Sequence, residues 1–128
     1  MRLLLDTHAF LWWLVDHRSL ARNAHAAIKD EENDVFVSAA SAWEIATKFR
    51  IGKLDHAAAV AANVEAAVVG EGFQALPVSL AHAQLAGSLP GKHRDPFDRM
   101  LIAQAMSESM TLVTNEALFG AYAVKRLW

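Results

Sequence analysis

Cysteine is absent from the 128 residues. Its absence excludes thiol nucleophiles, thiolate zinc sites and iron–sulfur clusters, and it suits a reducing compartment, so the expected location is cytoplasmic. No apolar stretch approaches the ~20 residues a membrane span needs, and no membrane partner is expected. The opening "MRLLLD" is too short for a signal peptide and ends on a charge. Basic charge is not in excess: 12 Lys and Arg against 14 Asp and Glu leave a net charge of −2. That balance excludes a general field for binding nucleic acid, so any such binding must be local. Missing too are an H-E-x-x-H pair, a P-loop and a G-x-S-x-G elbow. "GEGFQA" matches G-x-G-x-x-A in form, yet it precedes a strand instead of following one, which removes the dinucleotide reading.

What the chain does have is apolar bulk. Hydrophobic residues make up 54%, with four tryptophans, so either the core is rich or a partner covers apolar surface. The length fits a single domain, residues 1–128, that buries a core without disulfides.

Apolar periodicity alternates along the chain between strand and helix. Arg2–Leu5 reads as a strand, followed by the helical "THAFLWWLVD"; Ser19 is the expected cap of an Ala-rich helix, and "DVFVS" is the next strand. "SAWEIATKFRIGK" reads as a helix ended near Gly52, Asp55 as the cap of another reaching "GEG", and "FQALPV" as a weak strand. Ser79 opens a further helix that ends before "LPGKHRD". "HRDPFDRMLIAQA" then carries a helix, "MTLVT" a strand, "EALFGAY" a helical turn and "VKRLW" a last strand. Strands separated by helices imply an α/β fold, a three-layer α/β/α sandwich around a mostly parallel sheet. No linker, repeat or low-complexity tract divides it.

In such sheets ligands sit beyond the carboxyl ends of the strands. Asp6 follows the first strand, Glu44 the second, Asp95 and Asp98 open the helix before "MTLVT", and Glu116 follows that strand. Each acid alone has a structural explanation. Asp6 can cap a helix, Ser41 to Glu44 fits a capping box, and Asp95 before Pro96 looks like a cap with proline at the first helical position. Together they converge on one end of the sheet, where mutual repulsion is costly unless a cation intervenes. Asp98 also shares a helix face with Leu101, Ile102 and Ala105, a position expensive for an unpaired carboxylate. Oxygen-only ligands favour a hard ion, Mg²⁺ or Mn²⁺, which orients phosphate esters and activates water.

These residues resemble the PIN-domain ribonucleases, in particular toxins of the VapBC type. The resemblance rests on "LLLDTHAFLWWL", "SAASAWEIATKFRIGKL", "HRDPFDRMLIAQA" and "LVTNEALFGAY", in that order, and covers essentially the whole chain. It implies a compact α/β/α fold and Mg²⁺-dependent endonucleolytic cleavage of RNA, often tRNA or rRNA, that inhibits translation and is held in check by a cognate antitoxin. A homodimer is also expected. Carried over, Asp6, Glu44 and Asp98 match the first three metal-site acids. Glu116, in "TNE", stands where the family often has aspartate. Thr7 and Thr114 match positions that help order the site, while His8 stands where many members have Ser or Asn. Independently of the resemblance, Asp95, next to Pro96, is expected to start its helix and to support the site.

Lys48, Arg50, Lys53, Lys92 and Arg94 are candidates for gripping flanking RNA phosphates or are plain solvated surface. His93 lies near the proposed site and is a candidate for touching phosphate, with surface or core packing the default reading for a histidine. Phe10, Leu11, Trp12 and Trp13 cover too many faces of the first helix for all to enter one core, so one of them can serve a dimer or antitoxin groove. Trp43 reads as core. The main alternative is a non-catalytic Mg²⁺-binding signalling or interaction module. It lacks an aspartate after "VFVSAAS", where a receiver-like domain has its phospho-acceptor, and a small-molecule phosphatase would need D-x-D where the chain has "DTH".

Overall fold

The computed structural model describes residues 1–91 and 93–128, the side chains of Asp55 and Leu118 apart. Its centre is β1, Arg2–Leu5, whose Leu3, Leu4 and Leu5 are wholly buried. A strand covered on both faces needs a continuous apolar run, and "LLL" supplies it. β1 pairs in parallel with β2, Asp34–Ser38, on one side and with β4, Thr111–Val113, on the other. β3, Gln74–Leu76, and β5, Lys125–Leu127, form the parallel edges. The sheet order is β3-β2-β1-β4-β5, so the expected mostly parallel sheet is entirely parallel among the described residues.

Strand alternation sends side chains to two separate cores. Leu3, Leu5, Val35 and Val37 pack with Phe10 of α1 (Thr7–Leu14), Ala24 and Ile28 of α2 (Arg22–Lys29), Ile45 of α3 (Ala39–Arg50), and Val64 and Val68 of α5 (Val64–Gly70). Leu4, Phe36 and Leu112 face the other way, onto Ala86 of α6 (Leu80–Ser88) and Leu101, Ile102 and Ala105 of α7 (Pro96–Glu108). The result is the expected three-layer sandwich. Within the second layer the buried Gln104 ties elements together through Ser38 Oγ, which donates to its side-chain oxygen at 2.5 Å, and through its amide, which donates to the Pro77 carbonyl at 3.2 Å.

Several local expectations are corrected. Ser19 does not cap α2, whose N-cap is Ala21. A turn in which Ser19 N–H donates to His17 Nδ1 and Leu20 N–H to the His17 carbonyl seats Leu20 in the core and delays the helix. The helix expected from Asp55 to "GEG" is a 3-10 turn, Asp55–Ala57, then α4, Ala58–Ala62, and α5. The break lies at Asn63, whose side chain accepts from Ala66 N–H and caps α5. Trp43 is not core: it is 63% exposed, packed edge-on against Phe97 at 4.9 Å. Trp12 and Trp13 are half-buried against the first core, and Trp12 meets Trp128 at 5.8 Å.

These packing differences set distinct expectations for stability. Leu4→Ala, in the central strand, should cost roughly 2–5 kcal/mol in urea denaturation, whereas Trp43→Ser should stay within about 0.5 kcal/mol.

Candidate active site

The carboxyl ends of β1, β2 and β4 meet at one edge of the sheet. Asp6 follows β1 directly, and its N–H donates to the Val113 carbonyl at 3.0 Å, so the ends of β1 and β4 are tied together. As expected, Asp6 caps α1, accepting from Ala9 N–H at 2.7 Å. It also bonds the Thr114 side chain, and Thr114 is fully buried. Burial pushes the Asp6 carboxyl above its ordinary range, against the pull of the Thr114 and Ala9 hydrogen bonds.

Glu44 reaches the same edge from the second turn of α3. The expected Ser41 capping box is replaced: Ser38 is the N-cap, accepting from Ala40 N–H at 2.9 Å, and Ser41 lies inside the helix. That shift frees Ser41 and Glu44 to face α1. The Thr7 hydroxyl donates to Glu44 Oε1 at 2.5 Å and sits 3.0 Å from Ser41 Oγ, all three residues being buried. The other carboxylate oxygen, Oε2, accepts from the Lys48 ammonium one turn on.

Asp95 and Asp98 enter from α7. Asp95 is the N-cap, accepting from Phe97 N–H at 2.9 Å and Asp98 N–H at 3.2 Å, with Pro96 at the first helical position. This cap aims Asp98 at the other acids. Burial, then the charges of Asp95, Glu44, Asp6 and Glu116, raise Asp98 to about 7. The other four acids singled out in the sequence therefore all lie within electrostatic reach of Asp98. Glu116 takes its position from the turn after β4, where its N–H donates to Thr114 Oγ1 at 3.0 Å.

Two further residues shape this edge. Arg99, not singled out as a site residue, clamps the segment before α7 by donating to the carbonyls of Ala86, Leu89 and His93. His93, its side chain only 9% exposed, holds Nε2 at 3.4 Å from Asp98 Oδ2, yet that nitrogen makes no well-aligned hydrogen bond.

The candidates for RNA contact separate. Arg50, Lys53 and Arg94 are exposed, and Lys92 lies outside the described residues. Lys48 is not free surface, because its ammonium is committed to Glu44. Its i,i+4 spacing from Glu44 was the available signal.

This donor set fits a hard divalent cation in its chemistry. The candidate donors are carboxylate oxygens that repel one another, with, at the margin, a buried imidazole nitrogen that makes no hydrogen bond. Among the described residues no three Asp, Glu or His side chains are placed to enclose an ion as they stand. Glu44 is turned to Thr7 and Lys48, and Asp6 to Thr114 and its cap.

The raised Asp98 carboxyl makes stability depend on pH. Its folded value of about 7 lies above the ordinary 3.8, so its contribution is complete below about pH 4 and is lost as pH rises through 7. In EDTA, the wild-type melting temperature should fall relative to that of Asp98→Asn between pH 5 and pH 8. Parallel profiles for the two proteins would contradict the crowding of charge on Asp98.

Comparisons with known proteins agree with this architecture. The PIN domain family model matches residues 3–125. The chain is similar in fold to VapBC2 from Rickettsia felis bound to a DNA fragment from its promoter, with TM-score 0.71 and 17% identity over 99% of this chain and 98% of that one. It is similar also to DNA-bound VapBC from Salmonella typhimurium, with TM-score 0.70 and 15% identity over 99% and 97%. A third likeness is to VapC20 of Mycobacterium tuberculosis, a sarcin-ricin loop cleaving toxin, with TM-score 0.62 and 15% identity over 95% of each chain. No curated protein matches the sequence. With the family model spanning almost every residue, and its fold carrying the acids to one end of a parallel sheet, the chain belongs to the PIN-domain family.

Proposed function

We propose that this protein is a Mg²⁺-dependent endoribonuclease, with Mn²⁺ an alternative ion, and the toxin of a type II toxin–antitoxin pair that inhibits translation by cleaving tRNA or rRNA. The observation that carries the reading is the convergence of Asp6, Glu44, Asp95 and Glu116 around the half-buried carboxyl of Asp98. Such crowding disfavours a purely structural role and suits a site completed by a cation.

Asp6, Glu44, Asp98 and Glu116 are the residues that would hold the ion. Bound there, a divalent cation polarises the scissile phosphate and lowers the pKa of the attacking water. The chain's own groups set the geometry. Thr114 and the α1 cap orient Asp6, Thr7 orients Glu44, and Asp95 fixes the first turn of α7 from which Asp98 projects. His93, whose buried Nε2 lies 3.4 Å from Asp98 Oδ2, is proposed as a further group near the phosphate. Arg50, Lys53, Lys92 and Arg94 are proposed to grip flanking phosphates, each by local charge.

The cognate antitoxin is the proposed protein partner, as the VapBC assemblies of similar fold suggest. The exposed apolar side chains of Trp43, Val78 and Leu80 are surface for it or for a second copy in a homodimer. No helix among the described residues is long and apolar enough to cross a membrane, and a cytoplasmic site of action is part of the proposal.

Incubating the purified protein with total RNA and Mg²⁺ should give discrete fragments that EDTA prevents. Asp98→Ala should lower cleavage more than about 100-fold, and cleavage that persists in both EDTA and Asp98→Ala would overturn the metal-nuclease reading. Asp95→Ala should instead cost about 1 kcal/mol of stability through loss of the cap, with a smaller drop in activity. Equal and complete loss in two well-folded variants would overturn this division of roles between Asp95 and Asp98.

A further inference from the structure

Lys48 stands where a plain i,i+4 pair would be a surface ornament, yet its surroundings are not surface. Such pairs contribute little when exposed. Here the Glu44 side chain is 4% exposed and that of Lys48 30%. A buried carboxylate without a counter-charge is costly, and Glu44 meets that need within its own helix. Its two oxygens are divided between the Thr7 hydroxyl and the Lys48 ammonium. Beyond Glu44, the ammonium also lies within charge reach of Asp95 and Asp98. The ammonium thus senses acids from α3 and α7 together. Arg99, in the first turn of α7, is committed to three backbone carbonyls and does not serve this purpose.

We propose that Lys48 is the built-in counter-cation of the acid site, a positioning residue that balances Glu44 and its neighbours in the metal-free protein and competes with a divalent ion for them. This rests on the metal reading of the site given above. The gain is a folded, soluble site in the absence of the ion; the consequence is weaker ion binding than four bare carboxylates would give. An ion that takes Glu44 must share or displace the ammonium.

The test is Mn²⁺ binding by calorimetry together with melting temperature in EDTA and in Mn²⁺, for wild type, Lys48→Met, Lys48→Arg and the exposed Lys29→Met as control. Lys48→Met should melt lower in EDTA, bind Mn²⁺ roughly tenfold more tightly, since one unit of nearby positive charge is gone, and gain more on adding the ion. Lys48→Arg should bind within about twofold of wild type, as should Lys29→Met. Affinity of Lys48→Met equal to or weaker than that of a metal-binding wild type would overturn the inference alone. A wild type that takes up no Mn²⁺ would overturn the metal reading, and the competition with it. Should Lys48→Met not fold, Glu44→Gln combined with Lys48→Met removes both charges. Recovery of the metal-free melting temperature in that double variant supports charge balance, and failure to recover overturns it.

Discussion

Electrostatic crowding at one end of the parallel sheet is the constraint around which the rest of the molecule is arranged. Five carboxylates from four separate stretches meet there, and Asp98 records the effect of all of them in a carboxyl raised to about 7. Gathering like charges in a partly buried place opposes folding. The two apolar cores on either side of the sheet supply the stabilisation that holds them there.

The surrounding groups limit that repulsion in three physically different ways. Hydroxyls act first: Thr7 and Thr114 hydrogen-bond Glu44 and Asp6. Backbone dipoles act second, since Asp6 and Asp95 each satisfy amide groups at a helix start while standing in the cluster. Opposite charge acts third, through Lys48. Capping and site duty therefore belong to the same residues. Asp6 serves both ends at once: one carboxylate oxygen anchors α1, and Thr114, directly after β4, orients the group.

Much of this was legible in sequence because the signals were local. The "LLL" run, the Asp95-Pro96 start and the Ser79 start depend on neighbours within one turn, and each stands as expected. Local signals misled where a distant contact outweighed them. Ser41 has the right spacing for a capping box, but Ser38 leaves β2 in extended geometry and takes the cap, which turns Ser41 toward Thr7, 34 residues away. Trp43 looks like core by residue type, yet its position on α3 faces away from both cores and it remains exposed beside Phe97. Lys48 reads as a solvated cation by residue type, and its pairing with Glu44 four residues back counts for more than a surface pair only because tertiary packing buries Glu44.

The sequence by itself determined the alternation of strands and helices, the α/β class and the acids that arrive at the strand ends, because apolar period and helix-start chemistry are properties of short segments. Only the tertiary structure decided how those acids are divided among partners. Strand order places β1 between β2 and β4, and that adjacency brings Thr114 to Asp6 and Thr7 to Glu44 across long separations. Hydrogen bonds act over about 3 Å and charge interactions are screened beyond roughly 10 Å, so which groups meet depends on packing that no single segment encodes.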